Sequence, residues 1–318
     1  MEPELGFVSI VVVTWNSAPY LRRCLEGIRD QTHQQVELIA IDNASSDNSV
    51  ALVEAAGARV IRNDENRGFS AAVNQALTIA RGEFVQLVNP DCFLEPSYIA
   101  TLVAALREAG EACGGATGKL IKAVGWDIEP TRAIDSVGMR MTRSGRHLDR
   151  TDALAQREEV FGLSGAAPLY RTSFLRDLSM DGEVLDEDFF AYREDADLAW
   201  RGRLFGWTFL CEPAAIGYHV RRVTPEVRRR LPSDVNMHSV KNRFLLRLKN
   251  EGLYLALRNA PFELTRDLIV LAASLTIERT SLPAFAWLWR NRARVLAKRR
   301  AVQQRRKVSD RELARWWR

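Results

Sequence analysis

The chain has 318 residues, 47% of them hydrophobic and 27% charged, which is the composition of a globular protein with a buried core. Its four cysteines are scattered without a CxxC spacing, which argues against a disulfide framework or a cysteine metal site and indicates reduced thiols. The net charge of +5 conceals an asymmetry, because residues 1–219 sum to −11 and residues 220–318 sum to +16.

The first half of the chain alternates between strand and helix patterns. The β-branched run Val8–Thr14 is typical of a strand buried on both faces, and Val36–Asp42 repeats that pattern. Two further strands are predicted at Ala58–Ile61 and Glu83–Val88, with helical spacing between successive strands. This alternation predicts an α/β fold with a mostly parallel central sheet covered by helices.

The second half is less regular. Residues 114–160 mix glycine, threonine and short apolar pieces, which predicts hairpins or a mobile flap. A helix is predicted over Asp195–Leu204, followed by two short strands at Trp207–Pro213 and Ala215–Val220.

Beyond about Pro232 the sequence becomes basic and helical. The longest apolar stretch is shorter than the roughly 20 residues that cross a bilayer. We expect a first domain over residues 1–232 and a basic helical region over residues 233–318. Helices are predicted over Asn236–Asn250, over Leu253–Thr280 with a break or a new start at Pro261, and over Pro283–Arg300.

Polar residues follow three predicted strands, at the ends where ligands bind in α/β sheets. Each group alone is compatible with ordinary turn or cap chemistry, but three groups at one edge favour a binding site. No GxGxxG follows the first strand, which argues against a dinucleotide site. The three groups are Thr14-Trp15-Asn16, Asp42-Asn43 and Asn89-Pro90-Asp91.

Two other features carry titratable groups. Glu194, Asp195 and Asp197 open a predicted helix, where carboxylates complement the helix dipole and where one of them could act as a general base. His219 ends a predicted strand, and a lone histidine there is more often a hydrogen-bonding group than a ligand. Paired with Asp91, however, it would complete a site for a hard cation.

Several stretches together resemble glycosyltransferase family 2 in its GT-A fold, over about residues 7–220. In chain order they are TWN, IDNASSD, NRGFSAAVNQA, LVNPD, LSGAAPLYR and FFAYREDADLAWR. The stretch KNRFLLRLKN (Lys241–Asn250) is similar to a bacterial rhamnosyltransferase-like subgroup. The resemblance implies a GT-A catalytic domain over residues 1–232, with an amphipathic helical extension over residues 233–318. It also implies inverting transfer of a sugar from a nucleotide-diphosphate donor.

The resemblance also implies roles for individual residues. Asp195 would be the catalytic base, Asp42 would bind the nucleotide base, and Asp91 with His219 would hold Mg²⁺ or Mn²⁺. Asn89 stands in place of the first acid of the family's Asp-x-Asp motif, so metal binding would depend mainly on one carboxylate. The other residues expected to bind the nucleotide sugar are Thr14, Asn16, Asn66, Gly68 and Asn74, and those expected to support the base or face the acceptor are Glu194, Gly165 and Arg201.

The expected donor is deoxythymidine-diphosphate rhamnose, and the expected acceptor is a cell-envelope glycan or a polyprenyl-diphosphate-linked glycan at the cytoplasmic face. The alternatives are a UDP-sugar donor, a non-catalytic GT-A protein that binds a nucleotide sugar or glycan, and, more weakly, a nucleotidyltransferase. Tryptophans interleaved with arginines in the basic tail favour an interfacial anchor on the anionic inner face of the cell membrane over a solvated helix face. Nucleic acid is not an expected partner, because no nucleic-acid-binding module accompanies the charge.

Overall fold

A mixed, mostly parallel sheet forms the centre of the computed structural model, which describes residues 3–221 and 233–318. The strands are β1 (Glu4–Thr14), β2 (Val36–Asn43), β3 (Arg59–Asn63), β4 (Gly82–Leu87), β5 (Cys92–Leu94), β6 (Cys113–Val124), β7 (Glu129–Ser136), β8 (Met139–Met141), β9 (His147–Asp149), β10 (Glu158–Glu159), β11 (Leu169–Arg171) and β12 (Thr208–His219). The main sheet has the order β10-β12-β6-β11-β4-β1-β2-β3, with β5 beside β12 and β7 beside β6, while β8 and β9 pair separately.

Helices cover both faces of this sheet, and both faces of β1 are consequently buried. Val8, Ile10 and Val12 pack with α1 and α4, whereas Val11 faces a second core that includes α3, α6 and α7. The helices are α1 (Ala18–Arg29), α2 (Ser49–Ala55), α3 (Gly68–Ile79), α4 (Tyr98–Ala109), α5 (Thr172–Leu178), α6 (Glu194–Leu204), α7 (Ser233–Asn250), α8 (Leu253–Thr276), α9 (Pro283–Arg290), α10 (Arg292–Gln304) and α11 (Asp310–Leu313). The α/β fold expected from the sequence is confirmed.

The topology brings the predicted strand ends to one edge. β1 pairs in parallel with β2 and β4, with Thr14 opposite Asp42. β11 runs antiparallel to both β4 and β6, and β12 runs parallel to β6, so β12 shares the direction of β1 and β4. The carboxyl end of β12, which carries His219, therefore lies at the same edge as the carboxyl ends of β1, β2 and β4.

Three predicted elements were wrong in detail. The two short strands expected at Trp207–Pro213 and Ala215–Val220 form one strand, β12, whose pairing is irregular between Glu212 and Ile216. Pro261 does not break α8, because a proline removes only one backbone donor, and the buried residues Asn259 and Glu263 anchor the helix on either side of it. The single helix expected at Pro283–Arg300 divides at Asn291, whose Nδ2 donates to Trp287 O at 2.8 Å and ends α9.

The C-terminal helices share the core beneath β1. Leu245 and Leu246 of α7 and the terminal Trp317 pack in the same cluster as Phe189 and Trp200. Within the described residues no single helix has the length and apolar composition of a membrane span, whereas α8 and the segment Arg279–Arg290, which meet at 111°, satisfy that test as a pair. The expected boundary between residues 232 and 233 adjoins a stretch outside the described residues, so the division into two domains stays a prediction.

Candidate functional site

The ends of β1 and β2 form one polar pocket. Thr14 Oγ1 donates to Asp42 Oδ1 at 2.8 Å, and the Ser45 N–H donates to Asp42 Oδ2 at 3.0 Å. Asn16 adopts a left-handed backbone, with φ of 48°, and its Oδ1 accepts the Ser46 N–H at 2.8 Å. The structure thus brings together three of the residues predicted to bind the nucleotide sugar.

Asn66 and Gly68 form the start of α3 beside this pocket. The Gly68 N–H donates to Asn66 Oδ1 at 2.9 Å, and Asn43 Nδ2 donates to Gly68 O at 3.2 Å. Gly68 has a φ of +83°, and a Cβ at this position would lie 2.5 Å from the Phe190 ring. Only glycine fits here, because α3 begins directly against the loop that precedes α6.

Asn74 is directed away from the strand ends. Its Nδ2 donates to Leu185 O at 2.8 Å, and its Oδ1 accepts the backbone N–H groups of Val184 and Leu185 at 3.1 and 2.9 Å. The buried amide is therefore engaged by the segment that leads towards α6. Its contribution to a donor cleft would be to hold that wall in place.

Asp91 and His219 face each other at the carboxyl ends of β4 and β12. Pro90 lies in a turn closed by the Cys92 N–H donating to Asn89 O at 3.0 Å, and this turn carries Asp91 off the strand. Asp91 Oδ1 lies 3.5 Å from His219 Nε2. Both side chains are largely buried.

A third carboxylate, Asp135 of β7, holds the other side of His219. Its Oδ2 accepts from His219 Nδ1 at 2.8 Å, and Arg221 donates to both of its oxygens at 2.9 and 3.1 Å. Burial alone would lower the pKa of His219, but hydrogen bonds to Asp135 and Asp91 raise it to about 9. No motif or spacing in the sequence marks Asp135, because it lies in the irregular stretch 114–160.

The donor atoms around Asp91 fit a hard divalent cation. Asp91, Cys92 and His219 each offer one ligand atom, and these atoms lie within 4.8 Å of one another. Burial raises the pKa of the Cys92 thiol well above its usual range, and its Sγ donates to Ala166 O at 3.5 Å, so Cys92 stays protonated and is a poor ligand. The Asp91 carboxylate remains, which suits Mg²⁺ or Mn²⁺, together with the His219 imidazole, which must lose its Nε2 proton to bind a cation.

Glu194 and Asp195 begin α6 at the same edge of the sheet. Asp195 Oδ2 accepts the Gly165 N–H at 3.0 Å, and Oδ1 accepts the Ala196 N–H at 2.7 Å. Burial raises the pKa of Asp195 to about 6. Burial and the Asp195 charge raise the pKa of Glu194 further, to about 8, and Glu194 Oε2 has no hydrogen-bond partner in the described part of the chain. Asp195 is therefore the carboxylate that ionises first.

Arg201 lies on another face of α6 and is fully buried. Its guanidinium donates to Asp197 Oδ2 at 2.8 Å, to Leu178 O at 2.9 Å and to Val184 O at 2.6 Å. These contacts tie α6 to α5 and to the segment that Asn74 holds. They fit the supporting part of the predicted role for Arg201.

Comparison with known proteins gives a family match and several relatives. The family described as "Glycosyl transferase family 2" matches residues 9–179. The putative glycosyltransferase EpsH of Bacillus subtilis is 34% identical over 112 residues, or 34% of this chain and 32% of its own length. The glycosyltransferase GlyG of Streptococcus pneumoniae is 32% identical over 106 residues, or 32% of this chain and 35% of its own length. The chain thus matches about a third of the length of these two relatives.

A longer alignment involves an enzyme named N-acetylglucosaminyl-diphospho-decaprenol L-rhamnosyltransferase from Mycobacterium tuberculosis. It is 28% identical over 243 residues, which cover 66% of this chain and 75% of the relative.

Solved structures resemble the whole chain. S. aureus TarS 1–349 in complex with UDP has a TM-score of 0.57 at 17% identity and covers 94% of this chain and 90% of its own. The mannosyltransferase PcManGT from Pyrobaculum calidifontis, in complex with GDP-Man and Mn²⁺, has a TM-score of 0.56 at 20% identity, covering 96% and 84%. At such identities the similarity shows the fold.

Proposed function

Because the chain belongs to glycosyl transferase family 2 and has the GT-A fold, we propose that it transfers a sugar from a nucleotide-diphosphate donor with inversion. One observation carries the proposal. Asp195, a half-buried carboxylate whose pKa is raised to about 6, lies at the same sheet edge as the Thr14–Asp42 pair and the Asp91–His219 pair. This arrangement supports the proposal of a general base beside a site for a nucleotide and a diphosphate.

The proposed step is a direct displacement. Asp195 takes the proton of the acceptor hydroxyl while the acceptor oxygen forms a bond to the anomeric carbon. The bond from that carbon to the diphosphate oxygen breaks, and the nucleoside diphosphate leaves with the electron pair. Attack from the face opposite the leaving group inverts the anomeric centre. The Gly165 N–H, which donates to Asp195 Oδ2 at 3.0 Å, holds the carboxylate in place for this transfer.

The donor would lie across the ends of β1, β2 and β4. Asp42 and Thr14 would bind the nucleotide base, with Asn16 at the rim and Asn66 and Gly68 shaping the wall. Asp42 already accepts from Thr14 and from the Ser45 N–H, so its position is fixed before the donor arrives. Such preorganisation reduces the entropic cost of binding.

Asp91 and His219 would hold Mg²⁺ or Mn²⁺ near the diphosphate. When bound, such a cation neutralises negative charge on the leaving group. Asn89 carries no charge and can assist only as a hydrogen-bonding group. The carboxylate of Asp135 fixes the orientation of the His219 ring, because Nδ1 points to Asp135 and Nε2 points to Asp91.

The donor sugar we propose is rhamnose, from deoxythymidine-diphosphate rhamnose. This is supported by the alignment over 66% of the chain with the enzyme named as a rhamnosyltransferase, whose name also specifies a polyprenyl-diphosphate-linked acceptor. We extend that acceptor class to this chain, as a cell-envelope glycan or its lipid-linked precursor. A UDP-sugar donor is the second candidate, favoured by the UDP complex of the structurally similar TarS.

The location we propose is the cytoplasmic face of an anionic membrane, and the outer face of α8 supports it. Every residue of α8 from Leu257 onward that is more than a third exposed is apolar or threonine. The charged residues of α8 are buried or half-buried instead, namely Arg258, Glu263, Arg266 and Asp267. A helix that faces water shows the opposite arrangement, so this face is suited to a non-aqueous partner.

A lipid surface fits α8 better than a second copy of the chain. Residues 233–318 carry 19 lysines and arginines against 7 aspartates and glutamates, a net charge of +12. Two copies meeting through α8 would bring these like charges together, whereas anionic headgroups would neutralise them. Trp289, which is 69% exposed, lies beyond the bend after α8 and is the residue type that favours the membrane–water interface.

A donor panel tests the reaction. Purified full-length protein is mixed with deoxythymidine- and uridine-diphosphate sugars and with Mg²⁺ or Mn²⁺, and stabilisation by binding is followed as a thermal shift. Asp195→Asn should retain donor binding and lose about 10²- to 10⁴-fold in transfer rate, the usual contribution of a general base. Asp30→Asn, an exposed change at the opposite end of α1, serves as the control. Wild-type transfer by Asp195→Asn would refute the role of Asp195.

Vesicle sedimentation tests the location. The full chain should sediment with vesicles of phosphatidylglycerol and phosphatidylcholine, and less with phosphatidylcholine alone. The triple change Leu264→Ser, Leu268→Ser and Leu275→Ser should release it, whereas Leu5→Ser, at an exposed apolar residue outside the C-terminal region, should not. The membrane proposal is wrong if the protein does not sediment with vesicles and the triple change instead converts a dimer to a monomer. The exposed face of α8 would then bind a second copy of the chain.

A further inference from the structure

The segment Phe189–Arg193, called here the base loop, leads into α6 through an unusual backbone. Phe190, Tyr192 and Arg193 have φ values of 65°, 69° and 74°, in the left-handed region, although none is glycine. At Phe190 a ψ of −67° and a bond from the Ala191 N–H to Phe189 O at 2.8 Å define a strained γ-turn. Residues with a Cβ disfavour this region, so surrounding contacts must hold the loop in shape.

The side chain of Asn242, on α7, makes those contacts. Its Nδ2 lies 2.9 Å from Phe189 O, 2.8 Å from Ala191 O and 2.7 Å from Tyr192 O. The side chain is fully buried, and two amide hydrogens serve three carbonyl groups. The reversed amide would place Oδ1 against the same three carbonyl oxygens, so the chemistry of the loop fixes the orientation.

Neighbouring residues of α7 contact the base loop and the residue that precedes it. The His238 ring stacks on Phe190 at 4.7 Å between centroids, and Lys241 Nζ donates to Asp188 O at 2.5 Å. On the opposite side, the Ser70 N–H of α3 donates to Phe190 O at 3.1 Å, beside the closely packed Gly68. The base loop therefore lies between the helix that borders the proposed donor cleft and a helix of the C-terminal region.

The shape of the base loop determines where α6 begins. Arg193 is the N-cap, and its carbonyl accepts the Asp197 N–H at 2.9 Å. Asp195 lies two residues further on, in the first turn. A shift of the loop would move this turn and separate the Asp195 carboxylate from the Gly165 N–H.

We propose that Asn242 is a positioning residue for Asp195, acting through the base loop. It touches neither the donor nor the reacting atoms, and it acts by satisfying the three carbonyls that the strained loop turns inward. The inference rests on the proposed function insofar as Asp195 is the base. The C-terminal region then contributes a residue to the geometry of transfer.

The test compares Asn242→Ala and Asn242→Asp with Asn259→Ala. Asn242→Asp keeps the volume but removes both donors, and Asn259 is an equally buried asparagine on α8. Both Asn242 variants should lose about 100-fold in kcat, the cost of a small misplacement of a reacting group, while donor affinity stays within about twofold of wild type. Hydrogen exchange of residues 187–196 should accelerate in both. Asn259→Ala should retain kcat and slow exchange in that segment.

Three results would decide against the inference: wild-type kcat in the Asn242 variants, a kcat loss matched by Asn259→Ala, or unchanged hydrogen exchange in the base loop. If Asn242→Ala does not fold, Asn242→Ser, which keeps one hydroxyl donor, takes its place and should show an intermediate kcat. If the wild-type protein transfers no sugar at all, the proposed function fails, and the hydrogen-exchange comparison alone decides whether Asn242 holds the loop.

Discussion

Two faces of α6 carry carboxylates in opposite electrostatic settings. Asp197 accepts from Lys249 Nζ at 2.7 Å, from Arg201 Nε at 2.8 Å and from Asn250 Nδ2 at 2.7 Å. Asp195, two residues earlier, accepts from two backbone N–H groups and has its pKa raised to about 6 by burial. The first carboxylate is held by two cations and an amide, whereas the second can exchange a proton near neutral pH.

The difference shows how the protein separates structural from reactive acids. On the paired side, burial alone would raise the pKa of Asp186, but Lys249 and Lys298 hold it well below its usual range. These lysines come from α7 and α10, so part of the positive charge of the C-terminal region neutralises acids of the first 221 residues. On the reactive side, the backbone N–H groups of Gly165 and Ala196 hold Asp195, and Glu194 Oε2 has no hydrogen-bond partner among the described residues.

Removing the cation from the paired side should cost the most. Lys249→Ala removes the buried cation that Asp186 and Asp197 share and leaves Lys298 and Arg201 as their remaining partners. Breaking a buried ion pair typically costs about 3–5 kcal/mol in the free energy of unfolding. Urea denaturation measures the change. Arg300→Ala, an exposed change on α10, should stay within about 0.5 kcal/mol of wild type. A loss for Lys249→Ala as small as that of the control would show that the paired network contributes little to stability.

Asp135 tests whether a paired acid can also serve the proposed site. Asp135→Asn keeps a hydrogen-bond acceptor for His219 Nδ1 but removes the charge. Changes of this kind behind a histidine ligand typically weaken metal affinity by about 10- to 100-fold. Titration with Mn²⁺, followed by electron paramagnetic resonance, measures the affinity directly. Asp152→Asn, an exposed partner of Arg150, is the control. Equal affinities in both variants would exclude Asp135 from the site.

The sequence predicted the grouping of the strand-end residues better than it predicted the buried ion pairs. Thr14, Asp42 and Asp91 follow recognisable buried strands, and parallel pairing necessarily brings such ends to one edge. Asp135 could not be found this way, because its position depends on how an irregular stretch folds back over β6. The partner of Asp197, Lys249, was equally hidden, since a basic helix shows no sign of which cations will be buried. The positions of both Asp135 and Lys249 depend on long-range packing, which no local pattern in the sequence encodes.

The pH dependence of transfer should identify the reactive side. Asp195 must be ionised to accept a proton, and its pKa is raised to about 6. The rate constant kcat should therefore be constant above that pH and fall about tenfold per pH unit below it, as the carboxylate becomes protonated. A kcat–pH profile from pH 4.5 to 8 measures this. A profile that remains flat down to pH 4.5 would indicate an unshifted carboxylate and contradict the assignment of Asp195.

Glu194 provides the most specific test, because its effect should appear in stability and should grow as the pH rises. Burial and the Asp195 charge raise the folded-state pKa of Glu194 to about 8 from the ordinary value of 4.5. Between those values the folded protein keeps a proton that the unfolded chain releases, so the free energy of unfolding should fall as the pH rises through this window. Glu194→Gln cannot ionise and removes that slope.

Glu194→Gln should therefore be close to wild type near pH 5 and exceed it by a few kcal/mol near pH 8. Urea denaturation at the two pH values measures the difference, with Glu111→Gln, at an exposed residue, as the control that should show none. A constant offset between Glu194→Gln and wild type at both pH values would mean that packing, and not ionisation, separates them. The reactive face of α6 would then hold one titrating carboxylate, Asp195, and not two.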